Sequence, residues 1–157
     1  TVSLSCFYIF YKHNYIRGDL IEISRKGYQH WAIYVGDGYV LHLVKICEFF
    51  VSCAKPGKDG RATVKKEKLE DVANNDEYRI NNRLDNQYEP RPIKDILQDA
   101  ENLVGREFPY NVLSSNCEHF ATLVRYGNPL SQQVQLFDLA ASAVVFGILA
   151  MATYRKK

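Results

Sequence analysis

The sequence predicts one α+β domain, an antiparallel sheet packed against helices, followed by a C-terminal hydrophobic helix. Three observations carry this. The alternating and β-branched runs all fall before residue 83, and the amphipathic helical segments all fall after residue 90. Strands first and helices after argue for segregated layers rather than a βαβ repeat. The chain has 157 residues, the usual size of one domain. Its composition, 46% hydrophobic and 24% charged, excludes disorder over most of its length. The formal net charge is +2, and Arg155, Lys156 and Lys157 supply three of the cations. The near-neutral remainder lacks the clustered basic face that a nucleic-acid partner needs.

Taken in order, residues 19–23 (DLIEI) alternate apolar and polar side chains and predict a strand. Residues 30–35 (HWAIYV) and 39–44 (YVLHLV) are aromatic and β-branched, and Gly36-Asp37-Gly38 between them signals a β-hairpin. Residues 54–60 read as a loop, and 62–69 and 77–82 as two further strands. Pro92 then opens a helix whose Ile93, Ile96, Leu97, Ala100, Leu103 and Val104 form one apolar stripe, with Gly105 suited to its end. Phe108-Pro109-Tyr110 reads as a turn, and a second helix is expected from about Asn116 to Tyr126, before Gly127 and Pro129. Residues 139–154 carry no charge and precede the three terminal cations. At about 1.5 Å per residue this run spans about 24 Å, against about 30 Å of hydrocarbon core. Its all-round apolarity favours a membrane anchor over a buried core helix. The expected division is an N-terminal extension over 1–16, a catalytic domain over 17–130, and a linker with the anchor over 131–157.

Four cysteines (Cys6, Cys47, Cys53 and Cys117) in a chain of this size do not make a disulfide scaffold, so a reducing compartment is expected. No CxxC pair is present, and a zinc site from His30, His42 and Cys117 would lack a fourth ligand at familiar spacing. Cys117 stands out because Ser115 and Glu118 have the spacing of a capping box. That box would place Cys117 in a first helical turn, where the helix dipole and open backbone N–H groups lower a thiol pKa. A thiolate nucleophile needs a base. His13 lies in the N-terminal extension, and His119, two residues from Cys117, points to another side of the helix. His30 and His42 lie on the two arms of the hairpin. If Gly36–Gly38 forms a three-residue loop without a bulge, Val35 faces Tyr39, Ala32 faces His42, and His30 is the diagonal neighbour of His42. One histidine could then act on the thiol while the other orients it. A one-residue slip would put them on opposite faces.

These residues also resemble a known family. The blocks are 17–23 (RGDLIEI), 27–43 (GYQHWAIYVGDGYVLHL), 64–67 (VKKE), 78–82 (YRINN), 103–105 (LVG), 116–120 (NCEHF) and 125–127 (RYG). Together they are similar to the phospholipase A/acyltransferase family, also called the H-Ras-like suppressor family. That family is grouped with lecithin:retinol acyltransferase among circularly permuted papain-like proteins. The resemblance implies that Cys117 is the nucleophile, that His30 activates it, that His42 orients His30, and that Tyr28 helps bind the oxyanion. It implies a calcium-independent phospholipase A1/A2 and acyltransferase. An acyl chain would pass from phosphatidylcholine or phosphatidylethanolamine through a Cys thioester. The acceptor would be water, the amine of phosphatidylethanolamine (giving N-acyl-phosphatidylethanolamine) or a lysophospholipid. No metal or other cofactor is implied. The expected location is the cytoplasmic face of an intracellular membrane, held by the C-terminal helix. The N-terminal residues and the segment 45–58, with its Phe49-Phe50 pair, depart from the family pattern. The latter reads equally as a hydrophobic strand or a lipid-facing loop. Rival readings are a retinol acyltransferase, a catalytically idle membrane-remodelling or interaction module, and a papain-like isopeptidase.

Overall fold

The computed structural model describes residues 15–46, 60–111, 113–132 and 134–135. The expected anchor, most of the N-terminal extension, nearly all of the Phe49-Phe50 segment, and Cys6, Cys47 and Cys53 lie outside the described residues. Among the described residues, six strands form one antiparallel sheet. They are β1 (Leu20–Arg25), β2 (Tyr28–Gly36), β3 (Tyr39–Lys45), β4 (Gly60–Lys68), β5 (Tyr78–Ile80) and β6 (Glu107–Tyr110), in the order β5-β1-β2-β3-β4-β6. Three α-helices accompany them: α1 (Leu69–Ala73), α2 (Ile93–Leu103) and α3 (Cys117–Tyr126). The α+β class therefore holds, with the histidine-bearing strands ahead of the cysteine-bearing helix.

Strand alternation divides the core between the two faces of the sheet. Leu20, Trp31, Ile33, Leu41, Leu43 and Val64 pack with Ile96 and Ala100 of α2 and with Cys117, Phe120, Ala121 and Val124 of α3. Ile21, Ile23, Ala32 and Val40 occupy the other face, under Leu69 and Val72 of α1. The α2 stripe is narrower than its periodicity predicts: Ile96 and Ala100 are buried, whereas Ile93 and Val104 at its ends are exposed. Leu103, at its last turn, lies partly buried against the same core.

The predicted turn at Phe108–Tyr110 is instead part of β6, paired with β4 so that Pro109 lies opposite Arg61. Proline is tolerated because β6 is an edge strand, where a missing N–H leaves no ladder bond unmade on its open side. The α1 helix and a 3₁₀ turn at Arg83–Asn86 escape sequence periodicity because each is about one turn long. The 3₁₀ turn carries an anchoring carboxylate. Asp85 accepts from Arg125 at 3.1 and 2.7 Å and from the Tyr126 hydroxyl at 2.7 Å. Arg125 also donates to the Gly18 carbonyl at 2.6 Å, tying the end of α3 to the entry of β1. Gly127 follows at φ 77° and closes the helix by donating to Leu123.

The hairpin between β2 and β3 differs in detail from expectation. Its turn has two residues, Asp37 and Gly38, both at positive φ (55° and 81°), and Gly36 pairs with Tyr39. That pattern suits Asp-Gly and matches the twist of the strands. A bulge at Val35 separates the Gly36–Tyr39 pair from the Tyr34–Val40 pair. The bulge takes up the one residue by which the shorter turn would have shifted the ladder. Ala32 therefore still faces His42.

Candidate active site

The histidines come together as the register requires. His30 pairs across β1 with Ile23 and lies two residues before Ala32, so it shares the face of His42. His30 Nε2 lies 2.9 Å from His42 Nδ1, with the two rings edge to face at 83°. His42 Nε2 lies 2.7 Å from Glu67 Oε2 on the adjacent strand β4. His42 is buried and His30 nearly so. Burial, then the charges of His42 and Arg25, hold His30 down to about 3. Burial also lowers His42, reinforced by Lys65 and Arg25 and opposed by the hydrogen bond and charge of Glu67. Both rings are therefore neutral at pH 7.

Cys117 is the first residue of α3, as its motif suggests, but the cap lies one residue later than predicted. Asn116 is the N-cap, its side chain accepting from the N–H groups of Glu118 and His119 at 3.0 and 3.1 Å. His119 Nδ1 accepts in return from the Asn116 N–H at 3.3 Å, which makes the capping box Asn116/His119. Ser115 is diverted: its hydroxyl donates to the Pro109 carbonyl at 2.9 Å, and its backbone bridges to Asn111. Glu118 is buried and accepts from the Ser131 hydroxyl and the Gln132 N–H, fastening the start of the C-terminal linker to the helix. The four residues of Asn-Cys-Glu-His thus divide the work: Asn116 and His119 cap the helix, Cys117 presents the thiol, and Glu118 clamps the linker.

The thiol is buried among the side chains of the α2/α3 face. Its Sγ reaches the backbone of β2, donating to the Gln29 carbonyl at 3.8 Å, while the Trp31 N–H approaches it from the other flank of His30. Among the described residues the thiol has no hydrogen bond to either imidazole. The structure thus joins His30 and His42 directly and sets Cys117 against the strand backbone on both sides of His30.

The expected thiolate is not what this environment favours. Burial pushes the Cys117 thiol up to about 11, against the opposing pull of the N–H groups of Trp31, Cys117 and Glu118. Desolvation of the anion outweighs the helix N-terminus. Burial thus favours the neutral form of the thiol and of both imidazoles.

Tyr28 opens β2 opposite Arg25 and is 57% exposed. Tyr110 of β6 is the phenol in the more enclosed position. Burial, then Cys117 and Tyr28, push it up to about 12, and the Lys45 ammonium lies 5.8 Å from its ring centroid. Gln29, Glu67 and Tyr110 are the neighbours that sequence reasoning missed. Glu67 sits inside a block that carried the resemblance, yet nothing in its local pattern marks it as a partner of a histidine 25 residues earlier. Among the described residues, no three His, Cys, Asp or Glu side chains converge as a metal site.

Comparison with known proteins identifies the family. The family model for lecithin retinol acyltransferase matches residues 13–130. The chain is 44% identical over 151 residues to phospholipase A and acyltransferase 1 of Homo sapiens, covering 95% of this chain and 88% of that protein. It is 46% identical over 151 residues to phospholipase A and acyltransferase 2 of Homo sapiens, covering 89% and 93%. It is 48% identical over 138 residues to phospholipase A and acyltransferase 3 of the same species, covering 86% and 85%.

Proposed function

The chain belongs to the lecithin retinol acyltransferase family, and from that premise we propose that it is a phospholipase A and phospholipid acyltransferase acting through a Cys117 thioester. The observation that carries the reading is the neutral His30–His42 pair at 2.9 Å, beside a thiol held against the backbone flanking His30. An unprotonated imidazole can take the thiol proton, and a buried neutral thiol needs such a base at the moment of attack. Apo geometry commonly tightens when substrate arrives, so a proton path not yet closed is consistent with this role.

In the proposed first step His30 accepts the proton of Cys117 as sulfur attacks the ester carbonyl of a glycerophospholipid. The carbonyl π electrons move onto oxygen. The N–H of Cys117, at a helix N-terminus, would donate to that oxyanion, with Tyr28 as a second donor. As the C–O bond breaks, the imidazolium returns its proton to the departing lysophospholipid oxygen, leaving a thioester. In the second step His30 takes a proton from the acceptor, which attacks the thioester, and Cys117 leaves and is reprotonated. Water gives a fatty acid, the amine of phosphatidylethanolamine gives N-acyl-phosphatidylethanolamine, and a lysophospholipid gives a new diacyl lipid. The reaction as written uses no calcium. The likeness to phospholipase A and acyltransferase proteins over most of the chain ranks this above retinol acylation and an idle interaction module.

No helix among the described residues is long and apolar enough to cross a membrane. The anchor therefore rests on residues 139–154, uncharged and followed by Arg155, Lys156 and Lys157. We place it in the cytoplasmic face of an intracellular membrane, where tethering raises the effective concentration of a lipid substrate. Removing residues 136–157 should release the protein from membranes and leave Cys117 chemistry intact. Cosedimentation of the truncated form would count against the anchor.

The decisive experiment is lipid mass spectrometry of wild type and Cys117→Ala with phosphatidylcholine and phosphatidylethanolamine vesicles, in the presence of a chelator. Products formed by wild type alone, with a Cys117 acyl adduct in the intact-mass spectrum, support the reading. Two folded proteins that are equally silent reject it.

A further inference from the structure

We propose that Glu67 is a positioning residue that fixes the tautomers of both histidines and so selects the nitrogen of His30 that acts as base. The chain of contacts is His30 Nε2–His42 Nδ1 at 2.9 Å and His42 Nε2–Glu67 Oε2 at 2.7 Å. A neutral imidazole has one N–H and one lone pair, and a carboxylate can only accept. The His42 proton must therefore be on Nε2, directed at Glu67. His42 Nδ1 is then an acceptor, so the bond between the rings is donated by Nε2–H of His30. This leaves the lone pair of His30 on Nδ1. The assignment passes through two rings and requires no substrate.

Without the carboxylate the reverse orientation becomes available. His42 would donate from Nδ1, His30 would accept at Nε2, and the proton of His30 would sit on Nδ1, removing the base. Glu67 also supports the charged state. When His30 takes a proton it becomes an imidazolium still donating from Nε2, and the His42 dipole, aligned by Glu67, faces that charge. The arrangement extends nucleophile–base–orienter logic by one member. Burial, with Arg25 of β1 and Lys65 of β4 facing the pair, favours neutral rings, and Glu67 pulls His42 the other way.

The inference rests on the proposed thiol acyl transfer, and its test is built to fail separately. Protein labelled with ¹⁵N-histidine reports the tautomer of each ring by NMR, with no substrate present. Wild type should show both histidines protonated on Nε2. In Glu67→Gln the amide can accept or donate, so His42 and His30 should shift together toward Nδ1–H. Phospholipid hydrolysis should lose about 10- to 100-fold in kcat with little change in KM, part of the ~10²–10⁴-fold due to a general base. Glu67→Asp, which keeps a carboxylate, should recover at least part of both signals. Wild-type spectra showing Nδ1–H on His42, or Glu67→Gln with unchanged tautomers whatever its activity, would overturn the inference. A wild type silent toward phospholipid but carrying the stated tautomers would sink the acyl-transfer reading alone.

Discussion

The β2–β3 hairpin and the N-terminus of α3 place their chemistry by different means. In the hairpin, position is a matter of counting. A two-residue turn and one bulged residue set the ladder, and the ladder sets which side chains share a face. At the helix, position is a matter of capping and packing. Asn116 and His119 close the first turn, and the surrounding core decides how much solvent the thiol keeps. The difference teaches that register errors act all or none, whereas capping and burial act by degrees.

The largest test breaks the count. Deleting Val35 removes the bulge but leaves Ala32 opposite His42, so acyl release should stay within about tenfold of wild type. Deleting Val40 instead moves His42 opposite Ile33, onto the face away from His30. Acyl release should then fall at least 100-fold, the scale on which losing a general base acts. Hydrolysis assays paired with thermal unfolding measure both. Equal activity in the two deletions would show that register does not set the site.

A second test sharpens the contrast at the helix. With the thiol pushed up to about 11, about one molecule in 10,000 carries a thiolate at pH 7. Alkylation of Cys117 by iodoacetamide should be about 100-fold slower at that pH than for an ordinary exposed cysteine, and should keep rising up to about pH 11. A plateau near neutrality would mean that the helix N-terminus wins over burial.

A third test compares the regions through acid stability. His30 is held at about 3 when folded and takes the ordinary histidine value of about 6.5 when unfolded. The unfolded chain therefore binds the proton more readily. Stability is full above about pH 6.5 and declines toward pH 3, by up to about 1.4 kcal/mol per pH unit for each such group. His42, also lowered, adds in the same direction. Asp85 acts in a lower window. Burial alone would raise its carboxyl, but hydrogen bonds from Arg125 and Tyr126 leave it lowered, so its contribution is lost only as pH falls below the usual carboxylate range. Urea melts at several pH values should show a shallower slope between pH 6.5 and 4 for His30→Gln. An unchanged slope would remove the hairpin as the acid-sensitive region.

The smallest effect belongs to the cap. Asn116→Ala should cost about 1 kcal/mol of stability, within the usual range for an N-cap, while Ser115→Ala should cost less at this position. The reverse order, measured by chemical denaturation, would restore Ser115 as the cap.

By itself the sequence determined the fold class, strands β1 to β5, helices α2 and α3, the place of Cys117 in a first helical turn and the pairing of His30 with His42. Each is written in local pattern: period-2 runs, a Gly-Asp-Gly turn, a 3.6-period stripe and a cap before Cys117. Tertiary structure decided the rest. Two adjacent residues of cap type compete before Cys117, and only the pairing of Ser115 with Asn111 and Pro109 leaves the cap to Asn116. Phe108–Tyr110 looks like a turn until β4 offers it a strand to pair with at the sheet edge. Glu67 joins the histidines because β4 lies beside β3, a neighbour relation that no short window contains. The upward shift of the Cys117 thiol has the same origin. A helix N-terminus favours the anion and is visible in sequence, but the desolvation that outweighs it comes from burial of the thiol in the tertiary core.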